Sequence, residues 1–120
     1  MAEGVRYHKK TGIYPINHCV VVRAALLEKH PWVALNVYSA FLEAKEAAAA
    51  PLAEAVEPWE HAGLLPPGAV QSLRGSDPMP YGVAANRQVF EALSTYLHEQ
   101  GLVQRPLAVE ELFAPSTVDL

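Results

Sequence analysis

The stretch Gly12-Ile13-Tyr14-Pro15-Ile16-Asn17-His18-Cys19-Val20-Val21-Val22-Arg23, followed at once by Ala24-Ala25-Leu26-Leu27-Glu28-Lys29-His30-Pro31-Trp32, carries the strongest fold signal in this 120-residue chain. Cys19 to Val22 is a continuous, mostly β-branched apolar run, the pattern of a strand covered on both faces. Arg23 ends it. No other stretch reads as clearly as a strand, and a lone strand cannot satisfy its own N–H and C=O groups. The expected fold class is therefore α/β and helix-rich, with one clear strand followed by several helices. Cys19, inside the run, is expected to be a small buried hydrophobe.

Outward from this stretch, residues 1–12 are polar and end on the turn signal Lys9-Lys10-Thr11-Gly12, which predicts an N-terminal loop. Residues 13–57 read as the strand plus a helix pair. The first helix, 24–29, must stop before Pro31, because the residue preceding a proline disfavours the α region. Pro31 suits the first turn of the second helix, which runs to about residue 50. Trp32, Leu35, Tyr38 and Leu42, broadened by Val33, Val37, Phe41 and Ala44, form a wide stripe expected to pack on a sheet. Pro51 marks a break or a kink, with Leu52 to Val56 as a possible continuation.

Residues 58–82 form a Pro/Gly-rich loop, and Gly75-Ser76-Asp77-Pro78 has turn chemistry. Ala69 to Leu73 reads as one short turn within it. Residues 83–120 hold the C-terminal helices. The longer, about 83–100, buries Val83, Phe90, Leu93 and Leu97 and stops at Gly101. A last short helix covers 108–113, and Pro115 ends structure. The whole chain reads as a single partial domain.

Composition excludes several function classes. The net charge is −4 and the nine basic residues are scattered, so no stripe exists to neutralise a nucleic-acid backbone. No apolar run approaches the ~20 residues of a membrane span. The start, Met1-Ala2-Glu3-Gly4-Val5-Arg6, lacks an apolar signal core, which predicts a cytoplasmic location, or a periplasmic one if the natural protein has an upstream signal. A single cysteine excludes an intramolecular disulfide. His8, His61 and His98 share no metal-ligand spacing, so no metal site is expected.

Longer motifs carry a resemblance. Gly12 to His18, Val20-Val21-Val22-Arg23, Leu26-Leu27-Glu28-Lys29-His30-Pro31-Trp32-Val33-Ala34 and Tyr38-Ser39-Ala40-Phe41-Leu42-Glu43-Ala44-Lys45 occur in order. Asp77-Pro78-Met79-Pro80-Tyr81-Gly82-Val83, Asn86-Arg87, His98-Glu99-Gln100-Gly101-Leu102 and Glu110 to Thr117 follow. Together they resemble the C-terminal part of 4,5-dihydroxyphthalate decarboxylase-like proteins over roughly residues 12–118. The resemblance implies a type II periplasmic-binding-protein-like fold, of which this chain would be the C-terminal portion. It implies a lyase that removes carbon dioxide from an aromatic diacid without oxidation, with a small aromatic carboxylate as partner and no cofactor. The same fold also serves solute-binding proteins of uptake systems, so a receptor for a small organic acid is the alternative. A second alternative is a non-catalytic fragment that self-associates through its strand edge and apolar helix faces, giving a homo-oligomer. Ala108 departs from the pattern, because relatives tend to offer a hydroxyl cap there.

Decarboxylation leaves electrons on a ring carbon, which must be protonated, and it needs cations for the carboxylates and hydrogen bonds for the hydroxyls. His18 is the candidate catalytic residue, since histidine titrates near neutral pH. A hydrogen-bonded histidine at a strand end is the structural alternative. Tyr14, Asn17, Arg23, Tyr81 and Arg87 are the candidate substrate-binding residues. Arg23 and Arg87 could fork onto carboxylates, although Arg23 could equally pair with Glu28. Tyr14 and Tyr81 could face a cleft or simply be buried. Glu110-Glu111 reads as a solvated helix face.

Overall fold

A computed structural model describes residues 2–75, 77 and 79–120. In chain order the elements are α1 (Ala2–Thr11), α2 (Ala24–Lys29), α3 (Val33–His61), α4 (Ala69–Gly75), α5 (Val83–Glu99) and α6 (Val109–Leu112), then a 3₁₀ turn at Pro115–Thr117. Among the described residues there is no strand and no sheet. The α/β expectation, its one clear strand and the type II periplasmic-binding-protein-like fold are therefore corrected: the chain is all-helical. Residues 12–23 run on without helix, turn or bend. β-Branched residues favour that backbone, but a strand also needs a neighbour to pair with, and the described residues provide none. Cys19 is accordingly an exposed thiol rather than a buried one.

The chain divides into two compact units, Met1–Ala34 with Gly82–Leu120, and Leu35–Tyr81. The first is organised by α5. Val83, Phe90 and Val109 form its buried cluster, with Ile16 and Phe113 packed against it. The Phe90 and Phe113 rings lie 4.7 Å apart and tilted at 57°, within the range where aromatic pairs attract. Leu93, expected on the buried face, is 49% exposed. Its place is taken by polar residues. Ser94 donates to the Leu107 carbonyl (2.9 Å) and accepts the Leu107 N–H (2.6 Å), while Asn86 donates to the Gly82 carbonyl (2.8 Å). Both are buried with their polar atoms satisfied, as interior polar groups must be.

Residues 2–11 are a helix, not the loop expected for residues 1–12. The basic cluster that read as a turn is the last turn of α1, where positive charge suits the helix dipole. The stop is Gly12, whose φ of 72° is left-handed and whose N–H bonds the His8 carbonyl at 2.7 Å. α5 ends the same way at Gly101, φ 72°. There the Gly101 N–H meets the His98 carbonyl and the Leu102 N–H meets that of Leu97, the paired bonds of a Schellman motif.

In the second unit, α3 continues through Pro51 and Pro58, so Pro51 does not break the helix and Leu52 to Val56 extend it. Each proline removes one interior hydrogen bond, a loss of ~3 kcal/mol or more. The flanking run Ala47 to Ala50 has the best helix propensity available. The wide stripe finds no sheet to cover: Leu35 and Phe41 remain exposed, and on α3 the buried residue is Ala53. The short turn expected at 69–73 forms as α4. The turn expected at Gly75-Ser76-Asp77-Pro78 includes Ser76 and Pro78, which lie outside the described residues. Pro115 opens a 3₁₀ turn rather than ending structure.

Glu60 fixes α4. Its carboxylate accepts the Gly68 and Val70 N–H groups, both at 2.7 Å. These bonds, Val70 first, hold its carboxyl below the ordinary 4.5. A group with a depressed folded pKa stabilises above its unfolded value and loses that contribution as pH falls through the folded one. Acidification below about pH 4 is therefore expected to melt α4 early. In Glu60→Gln, far-UV circular dichroism should show reduced helix at neutral pH and a flatter response over that range. An unchanged acid profile would contradict this role.

Candidate functional site

The segment that carries most candidate residues is held at its N-terminal end and open beyond it. Ile13 is buried, its N–H bonding Thr11 Oγ1 (3.1 Å) and its carbonyl sharing a hydrogen bond with His8 Nδ1 (3.2 Å). Thr11 in turn donates to the Tyr7 carbonyl and accepts Gln88 Nε2 at its own carbonyl. Ile16, half-buried, packs against the Val83–Phe90–Val109 cluster. At the far end the Arg23 carbonyl accepts the Leu26 N–H at 2.9 Å and starts α2. Between these anchors Tyr14, Asn17 and His18 are exposed, and the Arg23 side chain is exposed at the helix start. The four are therefore carried on one short span of a single unit.

Their side chains make no hydrogen bond or ion pair among the described residues. The pairing of Arg23 with Glu28 that the sequence left open does not form. A free imidazole, a free guanidinium and an amide on one segment form a set that can hydrogen-bond an anionic oxygen-rich ligand.

Arg87 lies on α5 in the same unit, and its guanidinium is already matched: Nη1 sits 2.8 Å from Glu110 Oε1. Glu110 is held below the ordinary carboxyl value by its own backbone N–H and then by Arg87. The two flank an open depression of about 390 Å³ with Pro115, Val118 and Asp119. Glu111 is forked onto Arg105 at 2.6 and 2.9 Å and also accepts the Ala108 N–H. Arg105 first, and then that N–H, lower its carboxyl to about 2. The Glu110-Glu111 pair is thus engaged by two arginines rather than merely solvated. The Glu111 carboxylate also supplies half of a capping box where the Ala108 methyl cannot.

Tyr81 closes the second unit and is exposed, with Lys45 Nζ 4.4 Å above its ring. The same ammonium donates to both Asp77 carboxylate oxygens (2.7 and 2.5 Å) and to the Met79 carbonyl (2.6 Å). Lys45 was missed from sequence. Its partners Asp77 and Met79 lie 32 and 34 residues away, so no local signal pointed to it. Among the described residues no group of three or more histidine, cysteine or acidic side chains is placed to hold a metal. No described helix is long and apolar enough to cross a membrane.

No family model matches the chain. Among curated proteins, a 4,5-dihydroxyphthalate decarboxylase of Comamonas testosteroni is 29% identical over 118 residues, covering 94% of this chain and 35% of that protein. The chain thus spans about a third of the length of the curated relative it matches. The two are distantly related.

Proposed function

We propose that this chain acts in the decarboxylation of an aromatic diacid. The observation that carries the reading is the similarity over 94% of the chain to a protein named 4,5-dihydroxyphthalate decarboxylase. The exposed segment 14–23 supports it, because it offers the groups that the chemistry needs. In this reading the Arg23 guanidinium, free of any carboxylate, holds a ring carboxylate. Asn17 and the Tyr14 hydroxyl bond the ring hydroxyls. The carbon–carboxylate bond breaks to release carbon dioxide, while the hydroxyl para to it takes up keto character. The electron pair left at the ring carbon collects a proton from the His18 imidazolium, giving the monoacid. Arg87 and Tyr81 remain proposed substrate contacts. For Arg87 to serve, the substrate must exchange with Glu110.

The test supplies 4,5-dihydroxyphthalate and follows carbon dioxide and protocatechuate together with equilibrium binding. Turnover is expected, falling roughly 10²–10⁴-fold in His18→Asn with binding kept. Arg23→Ala is expected to weaken binding instead. Tight binding of the diacid without turnover would mark a receptor, and neither binding nor turnover would overturn the reading altogether.

A further inference from the structure

We infer that His8 is the positioning residue for Tyr14, and that the Tyr14 hydroxyl so held selects ligands whose aromatic ring carries a hydroxyl. This rests on the proposed decarboxylation, in which Tyr14 touches the ring hydroxyls, and adds what fixes that contact. Ile13 has both of its backbone groups tied down. Its N–H bonds Thr11 Oγ1 at 3.1 Å, and its carbonyl meets His8 Nδ1 at 3.2 Å. A carbonyl only accepts, so the His8 ring carries a proton on Nδ1 and donates it. The Ile13 carbonyl shares one rigid peptide plane with the Tyr14 N–H. Holding that oxygen therefore fixes the plane from which Tyr14 departs.

The other side of Tyr14 is fixed by the sequence. Pro15 has a locked φ and drives the residue before it to extended backbone. Tyr14 accordingly lies in a run without helix, turn or bend. Ile13 is only 7% exposed, and Ile16 packs against the Val83–Phe90–Val109 cluster. Between these two seated isoleucines the Tyr14 side chain stands 62% exposed. A tyrosine side chain has few rotatable bonds, so a fixed Cα leaves its hydroxyl few places to go.

His8 itself has a firm base. It sits in the last turn of α1, and its own carbonyl accepts the Gly12 N–H at 2.7 Å. α1 is joined to α5 by Gln88 Nε2 on the Thr11 carbonyl (3.2 Å) and by the Tyr7 and Tyr96 hydroxyls (3.4 Å). All of these residues belong to the first unit. The consequence is selectivity. A hydroxyl already in place bonds a ring hydroxyl with little ordering cost, and a ring without one forfeits that bond. The carboxylates, common to both kinds of ring, do not distinguish them.

The test compares equilibrium binding of 4,5-dihydroxyphthalate and phthalate, which share their carboxylates and differ only in the hydroxyls. The protein is expected to favour the dihydroxy acid by about tenfold, the worth of one well-placed hydrogen bond. His8→Leu should erase most of that preference by weakening the dihydroxy acid alone. His8→Asn, whose amide nitrogen falls where Nδ1 stood, should restore it. His8→Gln, whose nitrogen falls nearer the Nε2 position, should not. A merely structural role would weaken both acids alike and would not separate Asn from Gln. Because His8 is exposed, circular dichroism of the three variants should match that of the unaltered chain. Long-range proton–nitrogen NMR in alkaline buffer, without ligand, should show His8 as the Nδ1–H tautomer. An Nε2–H tautomer would overturn the inference, and so would a preference that survives in His8→Leu. Equal affinity for the two acids would sink the positioning role alone, whereas binding of neither would sink the proposed decarboxylation with it.

Discussion

Replacing Phe90 with alanine is expected to destabilise the first unit by ~3–5 kcal/mol, the range for truncating a buried phenylalanine. The size follows from its position. Phe90 is 8% exposed at the middle of α5, and it joins Val83 on its own helix to Val109 on α6 and to the Phe113 ring. No large side chain among the described residues is fully buried, so this cluster has little in reserve. A small domain has only ~5–15 kcal/mol of net stability to lose. The control is Leu93→Ala, three residues along the same helix and half exposed, which should cost less than about 1 kcal/mol. Urea denaturation followed by circular dichroism separates the two. Equal losses would mean that α5 buries a different face.

Ser94→Ala is expected to be the second most damaging change, at ~1–3 kcal/mol. The hydroxyl answers both the N–H and the C=O of Leu107, on the chain leading into α6. Alanine keeps the volume but leaves a donor and an acceptor unmatched beside a site that is only 4% exposed. Loss of an unmatched polar pair outweighs any gain from removing a hydroxyl. Thr95→Ala, whose exposed hydroxyl bonds only the Glu91 carbonyl of the preceding turn, should stay within about 0.5 kcal/mol. Thermal melts of the pair test this, and a Ser94→Ala melt matching that of Thr95→Ala would contradict it.

These two residues also show what the sequence made legible. Val83 and Phe90 announced α5 by their spacing, and Gly101 announced its end, because both signals are local. Ser94 and Asn86 gave no sign of burial, since their partners, Leu107 and the start of α5, are set by tertiary packing and by capping. α1 was hidden for the opposite reason: it is polar, with too few apolar positions to show a stripe. At Pro51 the helix continues through Leu52 to Val56, one of the two outcomes that the sequence left open. The valine run misled most. Its preference for extended backbone is realised, but preference alone does not supply a neighbouring strand.

The candidate site divides along the same line. Tyr14, Asn17, His18 and Arg23 were readable together because one segment carries them. The pairing of Arg87 with Glu110 and the seating of Lys45 on Tyr81 join residues distant in sequence, and spacing could not show them.

Among the described residues, segment 14–22 is an open, unpaired stretch that carries His18 between the anchors at Ile13 and Arg23. Native-state hydrogen exchange, resolved by residue and run at the lowest workable concentration, tests this directly. Amides from Asn17 to Val22 should exchange at the rate of an unstructured peptide, while those of Phe90 and Ser94 are protected up to global unfolding. Protection of Asn17–Val22 that persists unchanged on dilution would show that the chain pairs this segment internally, and would contradict the account.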